Sequence, residues 1–286
     1  MRNADIEDMG VSVGGRNITN LRYADDTALM ADNITSMKRI LHRVDTAGRK
    51  AGLKLNAKKT KVMHIGDEMS GSIKVDNTEL ENVSDFKYLG SIKTNNGTCT
   101  KDIKVRISMA KQKMIELNNI WKDRGVSLDL KLKILKCLIW PVITYGCEAW
   151  TLRKSETTKI QAAEMWLYRR LLNIHWSDKR TNESILDELA IKRQLLTFIN
   201  KRRLKYVGHA ARNTKTDLMK TTLQGKTCTS RRKGRPPISY TENIRKLAGL
   251  TLQEICQKSQ DREKWNTFVA QRAKVNFEDG DAYGWG

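Results

Sequence analysis

"NLRYADDTALMADN", residues 20–33, sets two adjacent aspartates, Asp25 and Asp26, in the middle of an otherwise apolar stretch. Leu21, Tyr23 and Ala24 run up to them, and Ala28, Leu29, Met30 and Ala31 follow. An unpaired carboxylate loses its hydration on burial and recovers nothing. The pattern predicts two short strands, ITNLRYA and TALMA, around a tight Asp-Asp turn. Two carboxylates there are either an ordinary turn, where Asp is common, or a pair of hard oxygen ligands for a divalent cation that also contacts substrate phosphates.

Outward from this hairpin, the spacing of Ile34, Met37, Ile40, Leu41 and Val44 predicts a helix from about residue 34 to 47, with Asn33 as its N-cap. It ends near Gly48 to Gly52. LKLN and TKVMHIG then read as strands separated by a basic turn, SIKVDNTELENV as a hairpin, and FKYLGSIKT as a further strand. After Gly97 helices take over. Ile103, Ile107, Ala110, Met114, Leu117 and Trp121 make an apolar stripe on a lysine-rich helix. LDLKLKILKCLIWPVITYGCEAW reads as a buried helix interrupted at Pro141. Helices are also predicted from Ser155, over NESILDELA, over the basic QLLTFINKRRLKYVGHA, and around LQEICQKSQDREKWNTFVAQ.

The 286-residue chain carries a formal net charge of +21, with a pI near 9.8. Such an excess points to a polyanionic partner, most often nucleic acid. The charge is concentrated: from Lys192 to Arg235 there are fourteen lysines and arginines against one acid, Asp217. TLQGKTCTSRRKGRPPISY within that stretch has the Gly, Ser, Thr and Pro content of a linker. The candidate phosphate contacts are Lys201, Arg202, Arg203, Lys205, Arg231, Arg232, Lys233 and Arg235. The most apolar run, CLIWPVITYGC, is about half of the roughly 20 residues a membrane helix needs, and the start of the chain has no apolar signal core. Five scattered cysteines and four dispersed histidines suggest neither a disulfide framework nor a zinc site, so buried reduced thiols in an intracellular protein are expected.

YADD between apolar strands resembles the catalytic motif of reverse transcriptases, and the likeness continues in order. AGLKLNAKKTKVMHIG looks like the next palm motif and FKYLGSIKTNNG like the primer-grip hairpin. LKLKILKCLIWPVITYGCEAWTL and GRPPISY…DREKW look like the C-terminal region of LINE-type (non-LTR) retrotransposon polyproteins. The resemblance implies an α+β fold: a partial polymerase palm of antiparallel strands plus helix over 1–97, then an all-α thumb over 98–212. A basic linker over 213–240 and a small helical C-terminal segment over 241–286 would follow.

It also implies roles. Asp25 would be the metal-binding carboxylate for Mg²⁺ and Asp26 its neighbour at the same site. Tyr23 would pack close to the primer end and incoming deoxynucleotide. Lys59, or Lys58, would stand where a lysine protonates the leaving pyrophosphate, and Phe86, Tyr88, Leu89 and Gly90 would match the primer grip. The partners implied are an RNA template and a DNA primer or duplex, with no membrane and a nuclear location. The family's chemistry needs another aspartate on an earlier palm strand. Only 22 residues precede Tyr23, and no strand pattern surrounds Asp5, Glu7 and Asp8. The expectation is therefore a catalytically incomplete RNA-directed DNA polymerase fragment. The alternative is a non-enzymatic nucleic-acid-binding protein derived from a retroelement, in which KGRPP looks like an AT-hook core reading A·T minor groove through Arg235.

Overall fold

The computed structural model describes residues 6, 9–66, 71–212, 217–224 and 238–273. They fall into two compact units, residues 1–98 with 213–236 and residues 99–212 with 237–286. The chain is mixed strand and helix, as α+β implies.

The first unit is built from short ladders around one helix. Strands β1 (Val11–Val13) and β2 (Arg16–Ile18) form a hairpin across Gly14-Gly15, both at positive φ. β3 (Asn20–Tyr23) and β4 (Asp26–Leu29) form the next, in register from Asn20↔Leu29 to Tyr23↔Asp26. Helix α1 (Ile34–Lys50) starts where expected: the Asn33 side chain accepts from the Ser36 amide at 2.7 Å. Ile40, Leu41 and Val44 form its buried edge. β5 (Lys61–Val62) pairs in parallel with β8 (Glu81–Asn82), while β6 (Lys74–Val75) and β7 (Thr78–Glu79) make a hairpin turning at Asp76-Asn77. β9 (Asp85–Tyr88) and β10 (Ser91–Thr94) pair across Leu89-Gly90.

Every ladder among the described residues is two-stranded. The strands share cores rather than a continuous sheet: Ile6, Ile40 and Val44 gather Leu29 and Ala31, and Leu41, Ile73, Val75 and Leu80 gather Leu55 and Val62. Arg49 reaches both Asp45 and Asp76, tying α1 to the β6–β7 turn. Hydrogen bonding from Lys54, with Arg49 beside it, holds Asp76 below the usual carboxylate range.

LKLN is not a strand. Gly52, at φ 73, reverses the chain off α1, and Leu53 lies exposed in a segment with no ladder partner. FKYLGSIKT is two strands rather than one, because Leu89 and Gly90 (φ 48 and 78) form the two-residue turn that folds it.

The second unit is helical. α2 (Thr100–Glu116) and α3 (Asn118–Lys122) bury Ile103, Ala110, Met114 and Trp121. The Trp121 indole donates to the Met114 carbonyl at 2.8 Å, and Lys131, itself buried, donates to the Trp121 carbonyl at 2.8 Å. α4 (Leu128–Ile134) runs through a π turn (Leu135–Ile139) into α5 (Trp140–Ile143). The interruption expected at Pro141 lies just before it: the Trp140 amide donates to the Leu135 carbonyl, and that wider turn accommodates the proline ring. α6 (Lys154–Leu171), α7 (Asn182–Glu188) and α8 (Leu195–Arg212) complete the main core, in which Ile160, Leu167, Leu171, Ile185 and Leu195 meet Ile103, Ile139 and Ile143. Buried Glu164 on α6 accepts from the Gln194 and Leu195 amides at the start of α8 and from the Tyr168 hydroxyl.

Helix α9 (Asp217–Gln224) belongs to the first unit, and α10 (Tyr240–Ala248), α11 (Leu252–Ser259) and α12 (Arg262–Arg272) complete the second. The last three pack on α8 rather than standing apart, burying Leu204 and Val207 against Ile244, Leu247, Ile255, Trp265 and Val269. The helical segment expected here consists of two helices. Asp261 breaks it by accepting from the Glu263 and Lys264 amides as the N-cap of α12.

Candidate active site

The β3–β4 hairpin answers the question its sequence raises: its two carboxylates stand in water. Leu29, at the base of the ribbon, packs against Ile40 and Leu41 clusters, while Asp25 and Asp26 are exposed at the tip. The turn that presents them runs through Ala24 in the left-handed region, φ 48. That conformation costs a residue with a Cβ about 1–2 kcal/mol. Tyr23 pairs with Asp26 across the ribbon and is 67% exposed. Because side chains alternate along a strand, Leu21 and Tyr23 share a face with Ala28 and Asp26.

A second hairpin comes beside this one. The Tyr88 hydroxyl on β9 donates to the Leu21 carbonyl on β3 at 3.3 Å, two residues from Tyr23. Phe86 shares the Tyr88 face and is partly exposed, as is Leu89 at the turn. The YADD hairpin and the primer-grip-like residues therefore meet.

The two lysines do not join them. Lys58 and Lys59 are exposed on a turn organised by Asn56, whose carbonyl accepts from the Lys59 and Thr60 amides at 3.1 and 2.9 Å. Among the described residues no hydrogen bond or ion pair links Lys59 to Asp25 or Asp26. The donor set at the tip suits a hard cation, since Mg²⁺ is commonly held by one or two carboxylates, with water and substrate phosphates filling the rest. Among the described residues no third His, Cys, Asp or Glu gathers with the pair. Asp5, Glu7 and Asp8 lie outside the described residues.

In the helical unit the basic candidates separate by face. Lys201 and Lys205 on α8 are exposed. Arg202 is bound to Glu148 at 2.9 and 2.5 Å and to the Thr144 hydroxyl at 3.1 Å. Arg203 is 2% exposed and donates to the Asn200 and Asn243 side-chain oxygens. Its position four residues after Ile199 and four before Val207 turns it inward, so it holds α10 to α8 and is not available to a phosphate. Arg231, Arg232, Lys233 and Arg235 lie outside the described residues, as does most of the expected linker. The expectation passed over two partly exposed aromatics on the same helix, Phe198 and Tyr206, although their eight-residue spacing sets them only about 80° apart around it.

The thiols divide as well. Burial, with Glu148 adding to it, pushes Cys147 up to about 12, and burial raises Cys99; Cys137, expected to be buried, is exposed. No helix among the described residues is long and apolar enough to cross a membrane.

Residues 5–92, which contain both hairpins, match the family model described as reverse transcriptase (RNA-dependent DNA polymerase). Over nearly its whole length the chain is similar to a putative uncharacterized transposon-derived protein of Caenorhabditis elegans. The two are 28% identical over 275 residues, covering 91% of this chain and 94% of the relative. No solved structure matches the chain. The likeness to reverse transcriptases thus covers residues 5–92, the stretch that holds both hairpins.

Proposed function

We propose that the chain is part of a LINE-type retrotransposon RNA-directed DNA polymerase, with residues 1–97 as palm and the helices that follow as thumb and C-terminal extension. The observation that carries this reading is the exposed Asp25-Asp26 tip of β3–β4, inside the region similar to reverse transcriptases. The transposon-derived relative supports the retroelement origin.

In this reading Asp25 and Asp26 hold Mg²⁺, Tyr23 packs beside the primer end and the incoming deoxynucleotide, and the Phe86–Gly90 hairpin grips the primer strand. Lys59 protonates the leaving pyrophosphate. A divalent cation held there would supply charge stabilisation for a phosphoryl transfer. One carboxylate hairpin supplies half of such a site, so a further carboxylate strand and fingers are needed to complete it. RNA template and DNA primer are the partners, and a nuclear location goes with them.

Primer extension tests this directly. With Mg²⁺, an RNA template and deoxynucleotides, the chain alone is expected to yield no template-dependent product. Extension that disappears in Asp25→Asn would overturn the incompleteness while supporting the polymerase assignment. Extension indifferent to Asp25 would overturn both.

A further inference from the structure

The outer face of α8 carries a pattern that the polymerase reading does not use. Its inner face is buried from Leu195 to Ala211. Its outer face shows Phe198, Lys201, Lys205, Tyr206 and His209, and the helix contains no acidic residue. Lys201, Lys205 and His209 stand four residues apart, so each step along the row rises about 6 Å. Phe198 and Tyr206 are 37% and 39% exposed; eight residues apart, they stand about 12 Å apart along the helix and about 80° apart around it, Phe198 in line with that row and Tyr206 on its flank.

Phe198 is held from beneath. Its ring packs on Trp140 with centroids 5.2 Å apart, and the Lys136 ammonium lies 5.7 Å from the Trp140 centroid. Arg202, between the two exposed aromatics, sits 6.0 Å from the Phe198 centroid and is neutralised by Glu148. It therefore positions the face and leaves the charge to the lysines.

A polycation alone fits any polyanion. A cationic row beside partly exposed rings fits one whose charges alternate with flat apolar surfaces. Single-stranded nucleic acid is such a ligand, because its bases stack on aromatic side chains while its backbone follows the positive groups. In a duplex the bases are already stacked and leave nothing for the rings. We propose that the outer face of α8 is a docking site for single-stranded nucleic acid, with Tyr206 and Phe198 stacking bases and Lys201, Lys205 and His209 meeting phosphates. The site lies outside residues 5–92 and stands independently of the Asp25 chemistry.

The test is fluorescence anisotropy of a labelled oligothymidylate, and of a duplex of equal length, against the full chain across a salt titration. Tyr206→Ala should weaken single-strand binding about 5- to 150-fold, the range of one stacked base, without changing the salt slope. Tyr206→Phe, which keeps the ring, should bind as the unaltered chain does. Lys201→Glu with Lys205→Glu should flatten the log–log salt slope by about 1.4, the share of two phosphates on a single strand. Trp176→Ala, which removes an exposed ring elsewhere in the helical unit, should change none of these. Single-strand affinity indifferent to Tyr206→Ala would overturn the proposal. So would equal loss with Tyr206→Phe, or displacement of the oligonucleotide by polyglutamate at matched charge.

Discussion

Replacing Gly208 with alanine should destabilise the helical unit, although alanine is the better helix former. A Cβ at Gly208 would lie 2.1 Å from Nε1 of Trp265, 2.5 Å from its Cδ1 and 2.8 Å from its Cε2. That indole is 1% exposed, donates to the Leu204 carbonyl at 3.2 Å and stacks on Phe268. It is rigid and enclosed, so it yields only if α12 moves away from α8. Alanine gains about 1 kcal/mol of helix propensity. Overpacking a filled core costs roughly 1–3 kcal/mol. Full expulsion of the indole would forfeit about 4–6 kcal/mol, from some 150–250 Å² at about 25 cal/mol per Å². A net loss of about 3 kcal/mol is expected, read as a lower urea midpoint by far-UV circular dichroism. In a Trp265→Leu background the space opens, and the same Gly208→Ala change should become neutral or stabilising by up to about 1 kcal/mol. If Gly208→Ala is harmless in the unaltered chain, or equally harmful in both backgrounds, α12 does not pack on α8 as described.

Other positions carry further expected outcomes. Asn243→Ala should cost about 3 kcal/mol or more in urea unfolding, because Arg203 and both backbone groups of Leu152 lose an Asn243 partner together. Ala24→Gly should relieve about 1 kcal/mol of turn strain, seen as slower amide hydrogen exchange across β3–β4; faster exchange would refute the strain. Burial raises Glu164 above its unfolded value of 4.5. The folded state then holds that proton more tightly than the unfolded chain. Its contribution is full below that value and lost as pH rises toward the raised folded pKa. The stability difference between the unaltered chain and Glu164→Gln should therefore fall as pH increases from about 4 upward, whereas Glu164→Leu, which strands three donors, should cost about 3 kcal/mol or more.

Local signals were legible where one rule acted alone. The Asn33 cap, the α1 stripe and the Asp-Asp hairpin could all be read from neighbouring residues, and so could the apolar face of α2. LKLN failed because alternation describes a strand only if a partner ladder exists, and no local pattern supplies one. The C-terminal break was legible but missed: Thr251-x-x-Glu254 is a capping box and Asp261 a second N-cap, each marking a helix start. Arg203 shows the opposite limit. Read as part of a charge run it looked solvated, whereas its period with Leu196, Ile199 and Val207 assigns it to the buried face. At the candidate site the motif order pointed to two hairpins, and the structure brings these two together. The Tyr88–Leu21 bond that joins them depends on tertiary placement, which motif spacing does not encode.

The most direct test of the central claim is primer extension by a polypeptide that joins this chain to an upstream palm and fingers segment of a reverse transcriptase. The account predicts Mg²⁺-dependent DNA synthesis on an RNA template that Asp25→Asn abolishes, with template–primer affinity by anisotropy nearly unchanged. Synthesis that survives Asp25→Asn would contradict it, because the carboxylates at the β3–β4 tip would then hold no part of the reacting phosphates.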